Sequence, residues 1–549
     1  MTKLVIVGGV AGGATAAARA RRLDERARIL VLERGEYVSF ANCGLPYYIG
    51  GVIKKREDLL LSSPQIFKER YNIEVRTQAE VTALDRAAKA VEVKDLRTGA
   101  VYREAYDKLI LSPGAEPVKP PLPGIDLEGI YTLRSLPDSD RLKARLDADP
   151  VQSAVVVGGG FIGLEMAENL ARRGVQVSIV EMLDQVLAPL DFEMAALVHR
   201  QLRRQEIRLV LADGLKSFDR RDGRLVATTR QGREIACDLA LLAIGIRPES
   251  GLARAAGLKI TERGHIWVDQ TLRTSDPDIY AVGDAVRTLD FVTGLPTVTA
   301  LAGPANKQAR IAADNALGRR SLYRGSLGTM AVKVFGLTVA ASGPNEKTLT
   351  RAGLPYLVSY THSDSQAGYY PGGQEMAVKL LFSPGGGRVL GAQIVGGPGV
   401  DKRIDVLAAA IRAGLTVFDL EELDLAYAPP YSSAKDPVNI AGYVAANLLR
   451  GDLENVYPTD LEKLDPDRDV VLDVRSKVEL RLFGRIEDSV NIPLPQLRER
   501  LPELDRSKRY IIYCAVGYRA YLAYRILVQN GFEARNLSGG FATYGPAFD

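Results

Sequence analysis

The chain has 549 residues, too many for one hydrophobic core, and its 46% hydrophobic and 25% charged content is that of an ordinary globular protein with several domains. A formal net charge of only +4 with no sustained Lys/Arg run gives no basis for nucleic-acid or membrane-surface binding, and no apolar run is long enough for a membrane span. Three widely spaced cysteines (Cys43, Cys237, Cys514) and three histidines form neither a disulfide scaffold nor a metal-ligand pattern, so no metal is expected.

The N-terminal segment runs from Met1-Thr2-Lys3 through Leu4–Val7 straight into glycines. It reads as a buried strand rather than a signal sequence, and a cytoplasmic location is expected. Strand Leu4–Val7, the glycine turn Gly8, Gly9, Gly12, Gly13, an Ala/Arg-rich helix, strand Ile29–Leu32 and Glu33 make a βαβ unit. The glycines let backbone approach a pyrophosphate, the helix N-terminus favours that charge, and the terminal acid can accept a hydrogen bond from an adenosine ribose. Val10 stands where the fingerprint has its middle glycine.

Next comes Ser39-Phe40-Ala41-Asn42-Cys43-Gly44-Leu45-Pro46-Tyr47-Tyr48, with a single cysteine. Leu109–Gly114 is a strand ending in a glycine turn at Gly114. The βαβ pattern then returns: strand Ala154–Val157, then Gly158, Gly160 and Gly163 in full G-x-G-x-x-G register, a helix carrying Glu165, strand Val177–Val180, and Glu181. Glu181 would repel a 2′-phosphate, which favours NADH over NADPH. Cys237 precedes a buried strand and reads as structural, and Trp267 as core or strand surface. Leu241–Gly245 closes the second unit, and strand Ile279–Val282 ends in Gly283-Asp284.

This order of motifs resembles the two-dinucleotide-fold flavoprotein disulfide reductases over residues 1–450. The resemblance implies FAD held at the first glycine turn and by Asp284, and a split FAD domain (1–120 with 246–325). The nicotinamide domain (121–245) is inserted in it, Glu165 lying near the nicotinamide, and an α+β dimerisation domain (326–450) makes a homodimer. Strands Thr329–Phe335, Met376–Phe382 and Val389–Val395 and a helix around Arg403–Ala413 are predicted in that last domain.

Most of this family carry a C-x4-C pair, but the residue five beyond Cys43 is Tyr48. A lone thiol must store its oxidised state as a mixed disulfide with a small thiol or as a sulfenic acid. Single-cysteine NADH oxidases and peroxidases stabilise sulfenic acid with a histidine in the first glycine turn, where this chain has Ala11. The SF-x-NCGLPYY stretch instead resembles the coenzyme A-disulfide reductases and their persulfide-reducing relatives. There, Thr15, Arg19 and Arg22, on one face of the first helix, join Ser39 and Asn42 in receiving coenzyme A. The resemblance further places Tyr427 near flavin and sulfur across the dimer interface and Lys435 against substrate. Tyr369 is the second tyrosine, with Tyr370 as the alternative register.

After a linker near Gly451–Asp460, strands Val470–Val474 and Tyr510–Tyr513 lead to Cys514-Ala515-Val516-Gly517-Tyr518-Arg519, a C-x4-R loop before a helix. Backbone N–H groups and a helix N-terminus favour the thiolate there, and Arg519 adds a cation. With Asp473-Val474-Arg475, Glu479 and Asn491-Ile492-Pro493, residues 456–549 resemble a single-domain rhodanese, an α/β sulfur carrier; Gly484-Arg485-Ile486 departs from its usual Gly-His-Ile.

The expectation is an α/β protein of two Rossmann-like domains, a dimerisation domain and a rhodanese-like domain. It would reduce coenzyme A disulfide, persulfide or polysulfide with NAD(P)H and FAD through a Cys43–coenzyme A mixed disulfide. Cys514 would either load sulfane sulfur onto coenzyme A or deliver a persulfide to the flavin site. The alternatives are a single-cysteine NADH oxidase or peroxidase, and a sulfur-trafficking or redox-sensing protein.

Overall fold

A computed structural model describes residues 1–548. The chain divides into two compact units, residues 1–184 with 206–328, and residues 185–205 with 329–549.

In the first unit, strands Lys3–Val7, Arg28–Glu33, Glu74–Thr77, Lys108–Leu111 and Ile279–Ala281 form one parallel sheet, with Lys3–Val7 at its centre and Ile279–Ala281 at one edge beside Lys108–Leu111. That edge strand arrives from far along the chain. It completes the sheet of the first βαβ unit after a long intervening stretch of chain. Leu4, Val5, Ile6, Leu30 and Ile110 are fully buried, which is why these runs are continuously apolar rather than alternating. The inserted sheet is also parallel, with Ser153–Val157 at its centre between Gln176–Val180 and Leu239–Leu242.

The second unit contains an antiparallel sheet and a parallel one. The antiparallel order is Met330–Val334, Leu337–Ser342, Val389–Gly396, Glu375–Phe382, Leu357–Asp364. The predicted strands at 329–335, 376–382 and 389–395 are there, and the predicted helix runs from Val400 to Ala413. The strands Leu337–Ser342 and Leu357–Asp364 add to the sequence reading. The second escapes pattern recognition because it is polar and yet buried: Ser359, Tyr360 and Thr361 are at most 5% exposed. The C-terminal parallel sheet covers it, since Ser538 Oγ accepts from Tyr360 N, His362 Nε2 meets Thr543 Oγ1 at 2.8 Å, and Tyr457 Oη donates to Val358 O.

The parallel sheet of the C-terminal region has the order Asn455–Val456, Glu533–Leu537, Arg509–Tyr513, Asp469–Asp473, Val490–Asn491. Gln185–Gln205, which follows the acid of the second βαβ unit by a few residues, packs with this second unit: Gln393 Nε2 donates to Asp191 at 2.6 Å, and buried Lys379 pairs with Asp191 at 2.9 Å. No helix among the described residues is long and apolar enough to cross a membrane, and no group of three His, Cys, Asp or Glu residues is placed to hold a metal.

Candidate active sites

The two glycine turns solve one packing problem twice. Gly8 and Gly158 sit at φ +94° and +107°, and a Cβ on either would lie within 2.3 Å of a backbone oxygen, Ser112 O or Ala243 O. A Cβ on Gly13 or Gly163 would collide with the oxygen of Gly8 or Gly158, so these glycines let helix and strand close together. Gly160 differs: no atom lies within 4 Å of its missing Cβ, which leaves the second turn open beside backbone. In the first turn Gly12 faces Ser112, and Gly9 lies against Val38 and Glu33.

Glu33 accepts from Gly9 N and Gly35 N, both at 2.6 Å, while Glu181 accepts from Gly159 N at 2.7 Å and Leu183 N at 2.9 Å. Both acids are therefore fixed at the mouths of their turns. Gly114, at φ +77°, lies 3.0 Å by its missing Cβ from Arg134, whose guanidinium is held by Glu249. Asp284 sits in a short turn with no hydrogen-bond partner for its carboxylate among the described residues. Burial pushes that carboxyl up, with Arg134 opposing. A desolvated carboxylate in want of donors, beside a glycine cradle, fits a polyhydroxyl chain such as the FAD ribityl.

Cys43 lies in the turn Asn42–Gly44, which leads into the helical segment Leu45–Ile49. The approach to it is tied down. Ser39 N donates to Gly9 O at 2.9 Å, Ser39 takes the left-handed φ of 50°, and Leu61 N donates to Ser39 O. Asn42 Oδ1 accepts from Cys43 N at 3.1 Å, with Cys43 Sγ at 3.7 Å. The thiol is exposed, yet the protein around it desolvates the sulfur enough to push it up. Glu165 and then Asp284 add to the rise through their charge. The charges of Glu165 and Asp284, carried on two other chain segments, thus both act on Cys43. Cys237 is buried, its thiol pushed up to about 12, first by burial and then by Asp238, which leaves it inert.

On the helix Ala11–Leu23, Thr15 Oγ1 donates to Asn306 at 2.8 Å and Arg19 pairs with Asp314 at 2.7 Å, both on the helix Ala302–Ala316. Arg22 is exposed and has no ion-pair partner among the described residues. Of the two arginines proposed for phosphate, Arg22 alone has its fork unengaged.

In the second unit Tyr369 and Tyr427 share a hydrogen bond between hydroxyls at 2.9 Å, and both rings are exposed. That bond pushes the Tyr427 phenol up. Lys435 is exposed on the same loop. Sequence reading missed what holds these loops. The Arg403 guanidinium, 1% exposed, donates to Ser365 O at 3.0 Å, Ser432 Oγ at 3.0 Å and Asp436 at 3.0 Å, so one cation ties the Tyr369 loop to the Tyr427 loop. An arginine on the apolar face of helix Val400–Ala413, in register with Val400, Ile404 and Leu407, was the available signal.

In the C-terminal region Cys514 follows strand Arg509–Tyr513 and is fully buried. Its sulfur accepts from Gly517 N at 3.2 Å, and Gly517 takes φ +96° just before helix Tyr518–Gln529. Phe541 N and Ala542 N donate to the carbonyls of Cys514 and Ala515 at 2.9 and 2.8 Å. Arg519 is bound by Glu479, with Nη1 to Oε2 at 2.9 Å, and Cys514 also acts on that guanidinium. Glu479 is held down to about 2, chiefly by the hydrogen bond from Arg519, against burial, with the Ser476 backbone and hydroxyl adding to the fall. Arg475, buried, pairs with Asp473 at 2.8 Å and stacks on Phe541 with its guanidinium carbon 4.5 Å from the ring centre, while Asn491 Nδ2 donates to the carbonyls of Asp473 and Arg475. Arg485 is exposed at the departure from Gly-His-Ile.

Comparison with known proteins gives three family matches: pyridine nucleotide-disulphide oxidoreductase over residues 2–309, its dimerisation domain over 329–437, and a rhodanese-like domain over 457–545. A coenzyme A disulfide reductase of Staphylococcus haemolyticus is 36% identical over 449 residues, 82% of this chain and 100% of that protein. The structure of reduced Bacillus anthracis CoADR-RHD is similar with TM-score 0.97 and 48% identity, covering 100% of this chain and 98% of the other. A NAD-dependent persulfide reductase from A. fulgidus follows with TM-score 0.92 and 41% identity, over 99% and 100% of the two chains.

Proposed function

The chain belongs to the pyridine nucleotide-disulphide oxidoreductases, and from that premise we propose that it reduces coenzyme A disulfide or persulfide with NADH through a mixed disulfide on Cys43. It is an FAD-dependent oxidoreductase of sulfur–sulfur bonds with a C-terminal rhodanese domain. The observation that carries the reading is the solitary exposed thiol of Cys43, with Glu165 and Asp284 converging on it and no second cysteine in its turn.

FAD, when bound, supplies a two-electron carrier between nicotinamide and sulfur. Gly8, Gly9, Gly12, Gly13, Glu33, Gly114 and Asp284 are the residues that would hold it, and Gly158, Gly160, Gly163, Glu165 and Glu181 those for NADH. The fixed Glu181 carboxylate has exposed Met182 and Leu183 after it rather than arginine, which supports NADH over NADPH.

The Cys43 thiolate attacks the sulfur bearing coenzyme A. A persulfide then gives Cys43–S–S–CoA and hydrosulfide, and a disulfide gives the same adduct and coenzyme A thiolate. One hydride equivalent from NADH cleaves the adduct to one thiol and one thiolate, with NAD⁺ as the other product. Thr15, Arg19, Arg22, Ser39, Asn42 and Lys435 are proposed to receive coenzyme A, with Arg22 as the leading phosphate contact. Arg19 would have to be shared with Asp314. Tyr369 and Tyr427 are proposed to come from the other subunit of a homodimer and to donate to the leaving thiolate; their exposed, paired hydroxyls support this.

Cys514 would carry sulfane sulfur, held by the Gly517 N–H and Arg519, and pass it to coenzyme A or toward Cys43. The place of work is proposed as the cytoplasm, where an NADH-drawing reductase finds its pool.

The test is mass spectrometry of the isolated, non-reduced holoprotein. An adduct of the mass of coenzyme A on the Cys43 peptide is expected. Cys43 found as a sulfenic acid, with peroxide-dependent NADH consumption, would replace this reading by that of an oxidase or peroxidase.

A further inference from the structure

The hydroxyl of Tyr47 donates to Glu165 Oε1 at 3.0 Å, joining the cysteine-bearing segment to the helix Phe161–Ala171 of the nicotinamide domain. Tyr47 stands four residues after Cys43, on the short helix that the cysteine turn leads into. One further contact sets the spacing of these helices. Asn169, whose Nδ2 donates to Glu165 O of its own helix at 2.8 Å, has its Oδ1 2.0 Å from where a Cβ on Gly50 would lie. Only a glycine at 50 lets the two elements approach closely enough for the bond to form.

We infer that Tyr47 is a positioning residue of the reductase centre: its hydroxyl pins the Glu165 carboxylate where the charge acts on Cys43, and so sets how much of that cysteine stands as thiol rather than thiolate. This rests on the reading of Cys43 as the reactive sulfur. The charged and titratable groups around it are few. Glu165 faces it from the nicotinamide-domain helix and Asp284 from its turn, while Glu168 on the same helix acts on Tyr47 and Glu165. From the helix Leu136–Ala148, Lys143 lies over the Tyr48 ring and Asp140 is taken by Arg56, while Arg173 donates to Ile49 O and pairs with Asp147. Among the described residues, no cation acts on the thiol to offset the two acids, and Arg134 opposes only at Asp284.

The pair itself is strained in charge. Burial is the largest influence on both partners, raising the Glu165 carboxyl and the Tyr47 phenol, and the hydrogen bond is what favours the ionised form of Glu165. Without the hydroxyl, the carboxylate would be free to turn toward water or to take up a proton, and either change weakens its hold on Cys43. Because the thiolate is the nucleophile, the pinned charge restrains both attack and adventitious oxidation of an exposed sulfur.

The test alkylates the reduced holoprotein with iodoacetamide across roughly pH 5 to 10 and quantifies the Cys43 and Cys514 peptides separately by mass. Glu165→Gln and Tyr47→Phe should each lower the Cys43 midpoint by about 0.5 pH unit or more, at least a threefold gain in thiolate at fixed pH, with Glu165→Gln the larger. The rate of Cys43 oxidation by hydrogen peroxide should rise with it. Tyr48→Phe, whose ring faces Lys143, should leave the midpoint in place. A shift in Glu165→Gln with none in Tyr47→Phe would remove Tyr47 from this role, and no shift in either would overturn the inference. Absence of a coenzyme A adduct on Cys43, by contrast, would strike the proposed function and leave this titration result standing.

Discussion

Cys43 and Cys514 are separate chemical addresses on one chain, and single substitutions should divide their activities. Cys43→Ser should lower NADH oxidation with coenzyme A disulfide by at least about a thousandfold, since the nucleophile itself is gone, while sulfur transfer from thiosulfate persists. Cys514→Ser should do the reverse for donors that need the carrier. Steady-state NADH consumption and thiosulfate sulfurtransfer, assayed on the same preparations, check both. Around Cys514, Arg519 is oriented by Glu479. That carboxyl is depressed to about 2, so the pair is fully formed above the ordinary carboxylate value of 4.5 and is lost only as pH falls through about 2. Sulfur transfer should therefore show no acid limb from Glu479 at mild pH, whereas Glu479→Gln should lower the rate several-fold by releasing Arg519. A pH–rate profile of both proteins tests this. The residue types at these sites were plain in the sequence. The partners were not: Arg19 on Asp314 and Arg519 on Glu479 are pairs made by folding across 295 and 40 residues.

At the scale of elements, glycines of one fingerprint carry different duties. An alanine at Gly160 meets nothing within 4 Å and strains no backbone, so Gly160→Ala should fold normally and raise the KM for NADH roughly tenfold by crowding the pyrophosphate position. Gly163→Ala would bring Cβ to 2.0 Å from Gly158 O and should instead lower the melting temperature or prevent folding. Thermal melts alongside NADH kinetics separate the two outcomes. The tyrosine loops depend on a buried cation in the same way. Arg403→Ala strips buried Asp436 of its close cation, leaving only Lys402 at 4.0 Å, and should cost about 3 kcal/mol of stability, read as a fall in melting temperature. The strands and helices that flank these features were legible because their apolar runs match the sheet and helix periods. Leu357–Asp364 was not, because its Ser359, Tyr360 and Thr361 are polar and their burial comes from a region that begins almost a hundred residues later.

At the scale of the molecule, the C-terminal region is built into its neighbour rather than appended to it. Ser538, Thr543 and Tyr457 all bond to the strand Leu357–Asp364, and Tyr360 packs edge-on against Tyr457 with ring centres 6.4 Å apart. Tyr360 also lies over Lys379, which is fully buried among Asp191, Glu193 and Glu346. Truncation after Gly451 should uncover this cluster, letting water reach Lys379 and leaving the polar atoms of the strand without their partners. The shortened chain should melt several degrees below the full one and bind a hydrophobic dye more strongly. An unchanged melting temperature would show that the region is only tethered.

Sequence alone determined the order of the parts: two glycine fingerprints each ending in an acid, one cysteine where a pair is usual, and a C-x4-R loop at the end of a strand. These are local patterns, dictated by backbone geometry and by the chemistry of a phosphate or a thiolate, and a short stretch of chain holds all the information they need. Tertiary structure decided the rest: which acids stand over Cys43, that Tyr47 meets Glu165, that Arg403 joins two loops, and that Arg19 is already engaged. Such facts depend on distances between segments remote along the chain. Charge and hydrogen bonding act through those distances, and spacing in sequence does not encode them.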